Sequence, residues 1–240
     1  MQYSKRGHGP LLIYIPGLDG TGELFFRQIP ILSTHYSVVT FPLRQVPPFD
    51  YPDLVQDVIQ ILDQEKSEKA ILVAESFGGT IALQFALTHS NRIEHLILVN
   101  TFPYYRRRTL LRIGSMLLPF AFTPLVRSGR RILLKPMLLN EQVDETAVNT
   151  MFEFSLTQSK ETYRQRMKLI RQFDIRKQLS AIKAPVTFVA AAKDKLVPSV
   201  REAKFMSTQI PGSRIVVLSE HGHACLLSST FSVESVLNPV

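Results

Sequence analysis

Ala70-Ile71-Leu72-Val73-Ala74-Glu75-Ser76-Phe77-Gly78-Gly79 is the stretch whose reading decides the fold. Ala70–Val73 is a continuous apolar run of strand length, as expected of a strand buried on both faces. Gly79-Thr80-Ile81-Ala82-Leu83-Gln84-Phe85-Ala86-Leu87 follows and reads as a helix. A serine with small residues two positions before and two after, on a strand-to-helix turn, is a nucleophile elbow. Ala74 stands where G-x-S-x-G has its first glycine, and it is still a small residue at the tight turn.

Outward from this turn, apolar runs alternate with helical windows. Strands are predicted at Leu11–Ile15, Ser37–Phe41, Ala70–Val73, Ile93–Val99, Val186–Ala191 and Arg214–Leu218. Between them, Pro52–Asp63 carries apolar residues at 54, 55, 58, 59, 61 and 62, a helical face, and Val200–Met206 reads as a further helix. Short buried strands separated by helices imply a mostly parallel sheet of about six strands with right-handed crossovers. Residues 102–178 break the rhythm. Arg106–Leu118 and Arg127–Leu139 look amphipathic and basic, while Glu145–Thr157 and Glu161–Phe173 look like ordinary helices. The expectation is an α/β core from 1–101 and 179–240, with 102–178 inserted as a helical cap.

A serine hydroxyl is a weak nucleophile at neutral pH and needs a base, which in turn needs an orienting carboxylate. The carboxylate candidate is Asp194, just past the Val186–Ala191 strand, at the edge where open α/β sheets bind ligands. The base candidate is His223, in Glu220-His221-Gly222-His223-Ala224, expected after the last strand and opening a final helix. Asp174 and His221 are the rivals. Asp174 precedes Ile175-Arg176-Lys177 and reads as a surface ion pair, and His8, His35, His89 and His95 read as surface or helix-end residues. The oxyanion of an acyl-transfer intermediate needs backbone donors. One is assigned to Phe77, after the nucleophile. The other is assigned to Leu18, in the loop Pro16-Gly17-Leu18-Asp19-Gly20-Thr21-Gly22, which lacks the spacing of a phosphate-binding loop. Glu75 is expected to pair with a nearby basic side chain, and Cys225 to be a small core residue near the serine.

With these motifs in hand, the chain resembles the serine esterases, lipases and acyltransferases of the α/β-hydrolase fold over nearly its full length. The 16–22 loop is similar to that of the branch that includes phytyl ester synthase-like enzymes. The resemblance implies a Ser76–His223–Asp194 triad, an acyl-enzyme, and oxyanion donors at Leu18 and Phe77. Pro16-Gly17 stands where the family often has His-Gly, and the first antiparallel strands of the family sheet are expected to be missing or vestigial. Dehalogenase and epoxide hydrolase chemistry needs an aspartate at position 76 and is excluded.

Composition narrows the partners. The 240 residues are 45% hydrophobic and 20% charged, as in a folded globular chain. The net charge is +8. Pro103–Pro136 holds eight Lys and Arg (Arg106, Arg107, Arg108, Arg112, Arg127, Arg130, Arg131, Lys135) and no acid. Removing those from the 28 basic residues leaves 20 against 20 acidic ones, so the whole excess sits in one segment. Arginines alternating with Leu, Ile, Met and Phe suit an anionic membrane surface, an acidic carrier protein or a substrate rim. No nucleic-acid reader is evident. No metal-ligand spacing occurs, so neither metal nor cofactor is expected. One cysteine and no apolar core after Met1–Arg6 predict a cytoplasmic protein, peripheral to membranes at most. The expected substrate is a small ester with an apolar acyl group. Acyl transfer to an alcohol, a carrier-protein or CoA (thio)ester, and a non-catalytic binding role are the alternatives.

Overall fold

The computed structural model describes residues 2–109, 112, 143–155 and 158–237. In chain order its elements are β1 (Ser4–Arg6), β2 (Leu11–Ile15), α1 (Ile29–Leu32), β3 (Ser37–Thr40), α2 (Tyr51–Gln64), β4 (Ala70–Glu75), α3 (Phe77–Thr88) and β5 (Ile93–Val99). Then come α4 (Glu145–Ser155), α5 (Lys160–Gln172), β6 (Val186–Ala191), α6 (Ser199–Gln209), β7 (Arg214–Leu218) and α7 (Glu234–Leu237). Among the described residues seven strands form one sheet in the order β1-β3-β2-β4-β5-β6-β7. Every neighbouring pair is parallel except β1 with β3.

The apolar runs form strands because both faces are covered. Along β2, Leu11, Ile13 and Ile15 enter one buried cluster, which includes Leu54, Val58 and Ile61 of α2 and Phe77, Ile81 and Phe85 of α3. Leu12 and Tyr14 enter the other, with Phe25, Leu32 and Cys225. In β4, Leu72 and Ala74 face the first cluster, while Ile71 and Val73 face the second. Two-residue alternation therefore places Glu75 on the side of Tyr14. Helix α2 starts at a reciprocal cap in which Asp50 and Asp53 each accept the other's backbone N–H.

One expectation is refined and one corrected. The sheet of about six strands has a seventh, β1, a vestigial antiparallel strand whose Ser4-Lys5-Arg6 is exposed along its length. It carries no apolar pattern and is extended only because it pairs with Thr40, Val39 and Val38 at the sheet edge. The segment opened by His223 is not a helix but a 3₁₀ turn at Cys225–Leu227. Ser228 Oγ accepts the Thr230 N–H, a local side-chain bond that competes with helical continuation, and α7 begins only at Glu234. The bodies of the helices expected at 106–118 and 127–139 lie outside the described residues.

Candidate active site

Ser76 stands at the corner between β4 and α3 with φ 52° and ψ −114°. A non-glycine residue at positive φ is strained and persists only when its surroundings hold it there. Here the end of β5 does so. The Ser76 N–H donates to the Val99 carbonyl at 2.9 Å, and the Thr101 hydroxyl donates to the Ser76 carbonyl at 2.7 Å. The glycines after the serine are required by packing. A Cβ on Gly78 would lie 2.2 Å from the Ile15 carbonyl oxygen, and one on Gly79 would lie 2.3 Å from the Thr101 hydroxyl.

Ser76, His223 and Asp194 form one hydrogen-bonded chain. Ser76 Oγ lies 3.0 Å from His223 Nε2, and His223 Nδ1 lies 2.7 Å from Asp194 Oδ2. The carboxylate on Nδ1 puts the imidazole proton there and leaves Nε2 free to accept from the serine. Asp194 is buried and fully engaged: Oδ1 accepts the N–H groups of Leu196 and Val197, both at 2.9 Å, and Oδ2 also accepts from the Ser199 hydroxyl. Burial alone would raise this carboxyl, but His223 and these donors hold it below its usual value. Burial likewise lowers the His223 imidazole, yet the Asp194 carboxylate and then Glu75 carry it above its ordinary value.

The rivals sit elsewhere. Asp174 is paired with Arg176 at 2.7 Å. His221 Nε2 meets the Thr230 hydroxyl at 3.1 Å. His95 is corrected from a surface or helix-end residue: it stands within β5, and its Nε2 meets the Thr187 hydroxyl at 2.9 Å.

The glycine-rich loop runs over the nucleophile. A Cβ on Gly17 would lie 3.7 Å from Ser76 Cβ, an ordinary contact, so this glycine is tolerated rather than demanded. The Gly17 carbonyl accepts the Gly20 N–H at 3.1 Å. The Gly17–Leu18 peptide therefore turns its carbonyl into the loop and its N–H, that of Leu18, the opposite way. Phe77 opens α3, so its N–H belongs to the first turn, where no carbonyl within the helix reaches it.

Glu75 differs from the expected ion pair. It accepts the Tyr14 hydroxyl at 2.9 Å, and among the described residues no Lys or Arg is paired with it. Burial raises its carboxyl to about 7, partly offset by His223 and the Tyr14 bond. Burial, with Glu75 next in order, also drives the Cys225 thiol up, which keeps it a buried thiol rather than a thiolate.

Sequence reasoning missed Asn100 and Ser199. Asn100, at φ 48°, donates from Nδ2 to the His223 carbonyl at 2.6 Å, and its Oδ1 accepts the Ala191 N–H at 2.8 Å. It ties the β5 end to β6 and to the histidine loop. An asparagine closing a buried strand was the available signal, since Asn is among the few residues that tolerate left-handed backbone. Three described arginines of the basic segment bond to residues outside it. Arg106 pairs with buried Glu202, Arg107 donates to the Lys195 carbonyl, and Arg108 donates to the Phe173 carbonyl and lies 4.0 Å over the Tyr104 ring. Arg127, Arg130, Arg131 and Lys135 lie outside the described residues.

A family model described as alpha/beta hydrolase fold matches residues 10–230. A provisionally named carbamate hydrolase, RutD, of Klebsiella pneumoniae (strain 342) is 26% identical over 243 residues, covering 95% of this chain and 90% of that protein. Phytyl ester synthase 1 of Arabidopsis thaliana is also 26% identical; the match covers 95% of this chain but 36% of that longer protein. Among solved structures, an esterase from Exiguobacterium antarcticum superposes with a TM-score of 0.84 at 21% identity, over 94% of this chain and 89% of that one.

Proposed function

The chain belongs to the alpha/beta hydrolase fold family, and on that premise we propose that it is a serine hydrolase of carboxylic esters with an apolar acyl group. One observation carries the reading: the hydrogen-bonded chain from Ser76 through His223 to Asp194, anchored on a strained serine beneath a glycine loop. Ser76 Oγ attacks the ester carbonyl while His223 Nε2 takes its proton. The oxyanion is received by the N–H groups of Phe77 and Leu18. Collapse breaks the bond to the alcohol oxygen, which leaves with the proton from Nε2. Water then adds to the acyl-enzyme, losing a proton to His223, and Ser76 recovers that proton as the acid departs. Asp194 stabilises the imidazolium in both halves.

The apolar preference rests on what flanks the histidine. Leu24, Val148, Met151, Ala224 and Leu227 form a buried cluster that joins the turn after the glycine loop, α4 and the turn after His223. In this reading residues 102–178 are the cap, and its described helix α4 brings Val148 and Met151 into this cluster. Among the described residues no helix is long and apolar enough to cross a membrane.

Ser76→Ala should abolish p-nitrophenyl ester hydrolysis, roughly a millionfold loss in kcat for a serine of a triad acting as a unit. Fluorophosphonate labelling should vanish with it. Activity retained by Ser76→Ala would overturn the reading. Acyl transfer to an alcohol is the second reading, favoured by the match to phytyl ester synthase over nearly this whole chain. It predicts a new ester when a competing alcohol is supplied, where hydrolysis yields only the acid. A carbamate would pass through the same steps, so carbamates belong in the substrate series.

A further inference from the structure

Arg166 of α5 is fully buried and is among the largest side chains with no exposure. Among the described residues no carboxylate bonds it. Its guanidinium instead donates to three backbone carbonyls on two separate loops. Nη1 reaches Leu18 at 3.0 Å and Asp19 at 2.8 Å, and Nη2 reaches Arg44 at 3.2 Å. Burial lowers this guanidinium to about 10, while the nearby Asp19 carboxylate acts the other way. At that value it remains charged at neutral pH. A buried cation aimed at carbonyls is costly to install, because the desolvation of the charge is repaid only through those bonds.

The loop is shaped around it. Gly20 adopts φ +63°, and a Cβ there would lie 2.3 Å from Nη1. Asp19 is used inward, its Oδ2 accepting the N–H of Thr21 at 3.0 Å and the Thr21 hydroxyl at 2.7 Å. The Gly17 carbonyl is taken by Gly20, and those of Leu18 and Asp19 are taken by Arg166. Three consecutive carbonyls are thus held, so the peptide planes on both sides of Leu18 cannot rotate freely.

We propose that Arg166 is a positioning residue for the oxyanion hole: from α5 it clamps the 18–19 backbone and fixes the direction of the Leu18 N–H above Ser76. This rests on the serine hydrolase reading. The clamp also makes the placement of α5 part of the active-site geometry, since a shift of that helix is transmitted to the donor by a rigid fork.

The test compares Arg166→Met, which keeps the bulk and loses the fork, with Arg166→Lys, which keeps a cation and can reach fewer carbonyls. Thr162→Val is the control, because Thr162 on the same helix donates to the Gln45 carbonyl outside the glycine loop. For a p-nitrophenyl ester, Arg166→Met should lose roughly 100-fold in kcat with KM nearly unchanged, the cost of a displaced transition-state donor. Arg166→Lys should recover part of that loss, and Thr162→Val should keep kcat within about threefold. Amide hydrogen exchange should quicken at residues 17–22 in Arg166→Met and stay unchanged there in Thr162→Val. Should Arg166→Met fail to fold, Gly20→Ala displaces the guanidinium from the loop side and should reproduce the kcat loss. Unchanged kcat in folded Arg166→Met, or a loss carried by KM, overturns the proposal. A wild-type protein inert toward esters overturns the hydrolase reading instead, and exchange at 17–22 then decides the clamp by itself, with unchanged exchange overturning it.

Discussion

In the proposed mechanism the turn after β4 and the loop after β2 each supply one donor to the same oxyanion, yet the two are held in different ways. The elbow is built by its immediate surroundings. Ser76 is pinned at positive φ by the ends of β5, and Gly78 allows α3 to press against the carbonyls of Ile15 and Pro16. The loop has room to spare at Gly17 and is held from a distance by Arg166, a residue 148 positions away from Leu18 along the chain. The proposed catalytic corner is thus held by strain against close neighbours, whereas its partner loop adds to its own hydrogen bonds a buried long-range cation. The first kind of rigidity fails by collision and the second by loss of a bond.

The comparison breaks most sharply at the hydrogen-bonded chain on the elbow side. Asp194→Asn should lower kcat roughly ten-thousandfold with the fold intact, because the amide favours the wrong imidazole tautomer. The pH dependence of kcat/KM supplies the same information without mutation. The proposed mechanism needs neutral His223, whose proton is held more tightly than usual by Asp194 despite burial. The acidic limb should therefore have its midpoint above 6.5.

Gly78→Ala comes next. Its Cβ would collide with backbone oxygen rather than a yielding side chain, so α3 must shift, and a fall in kcat of roughly 100-fold or more is expected, read on purified folded protein. Gly17→Ala is its counterpart and should change kcat by less than about threefold, because the nearest atoms stand 3.6 Å from the added carbon. Equal losses at the two glycines would erase the distinction between local and distant support.

A smaller effect is on stability. Buried Glu75 keeps its proton up to about 7, against 4.5 for an ordinary glutamate. Between those values the native state holds a proton that the unfolded chain has released, so the Glu75 contribution to stability falls as pH rises through that window. Glu75→Gln removes the titration while retaining an oxygen to accept from Tyr14. It should be more stable than wild type at pH 8 by on the order of 3 kcal/mol, and about equal to it at pH 4, in urea denaturation. A gain that is the same at both pH values would show that Glu75 is not held neutral by burial.

The alternation of strands and helices was legible because parallel strands covered on both faces become continuous apolar runs, and Leu11–Ile15, Ile93–Val99 and Val186–Ala191 were read to the residue. The half-exposed edge strand Arg214–Leu218 was also read to the residue, from its apolar residues at 215–218. Ser37–Phe41 came within one residue of β3, and Ala70–Val73 stopped two short of the end of β4 because Ala74-Glu75 interrupts the apolar run. β1 was invisible, since its extended state comes from pairing and not from its own side chains. Ser76, Asp194 and His223 could be singled out because each follows its strand in a short turn. Their distances and protonation could not, because the three residues come together only when β4, β6 and the segment after β7 share one edge.

The amino-acid sequence by itself determined the layered α/β order, the tight serine turn between strand and helix and the chemical types placed after three strands, all of which depend on neighbours within a few residues. Only the tertiary structure decided that Glu75 faces Tyr14, that Asn100 holds the histidine loop and that Arg166 is buried. In Tyr163-Arg164-Gln165-Arg166 an arginine reads as one more solvated helix residue. Its burial against Leu18, Asp19 and Arg44 depends on how α5 docks on two distant loops, and such long-range docking leaves no periodic or short-spacing signal in the chain.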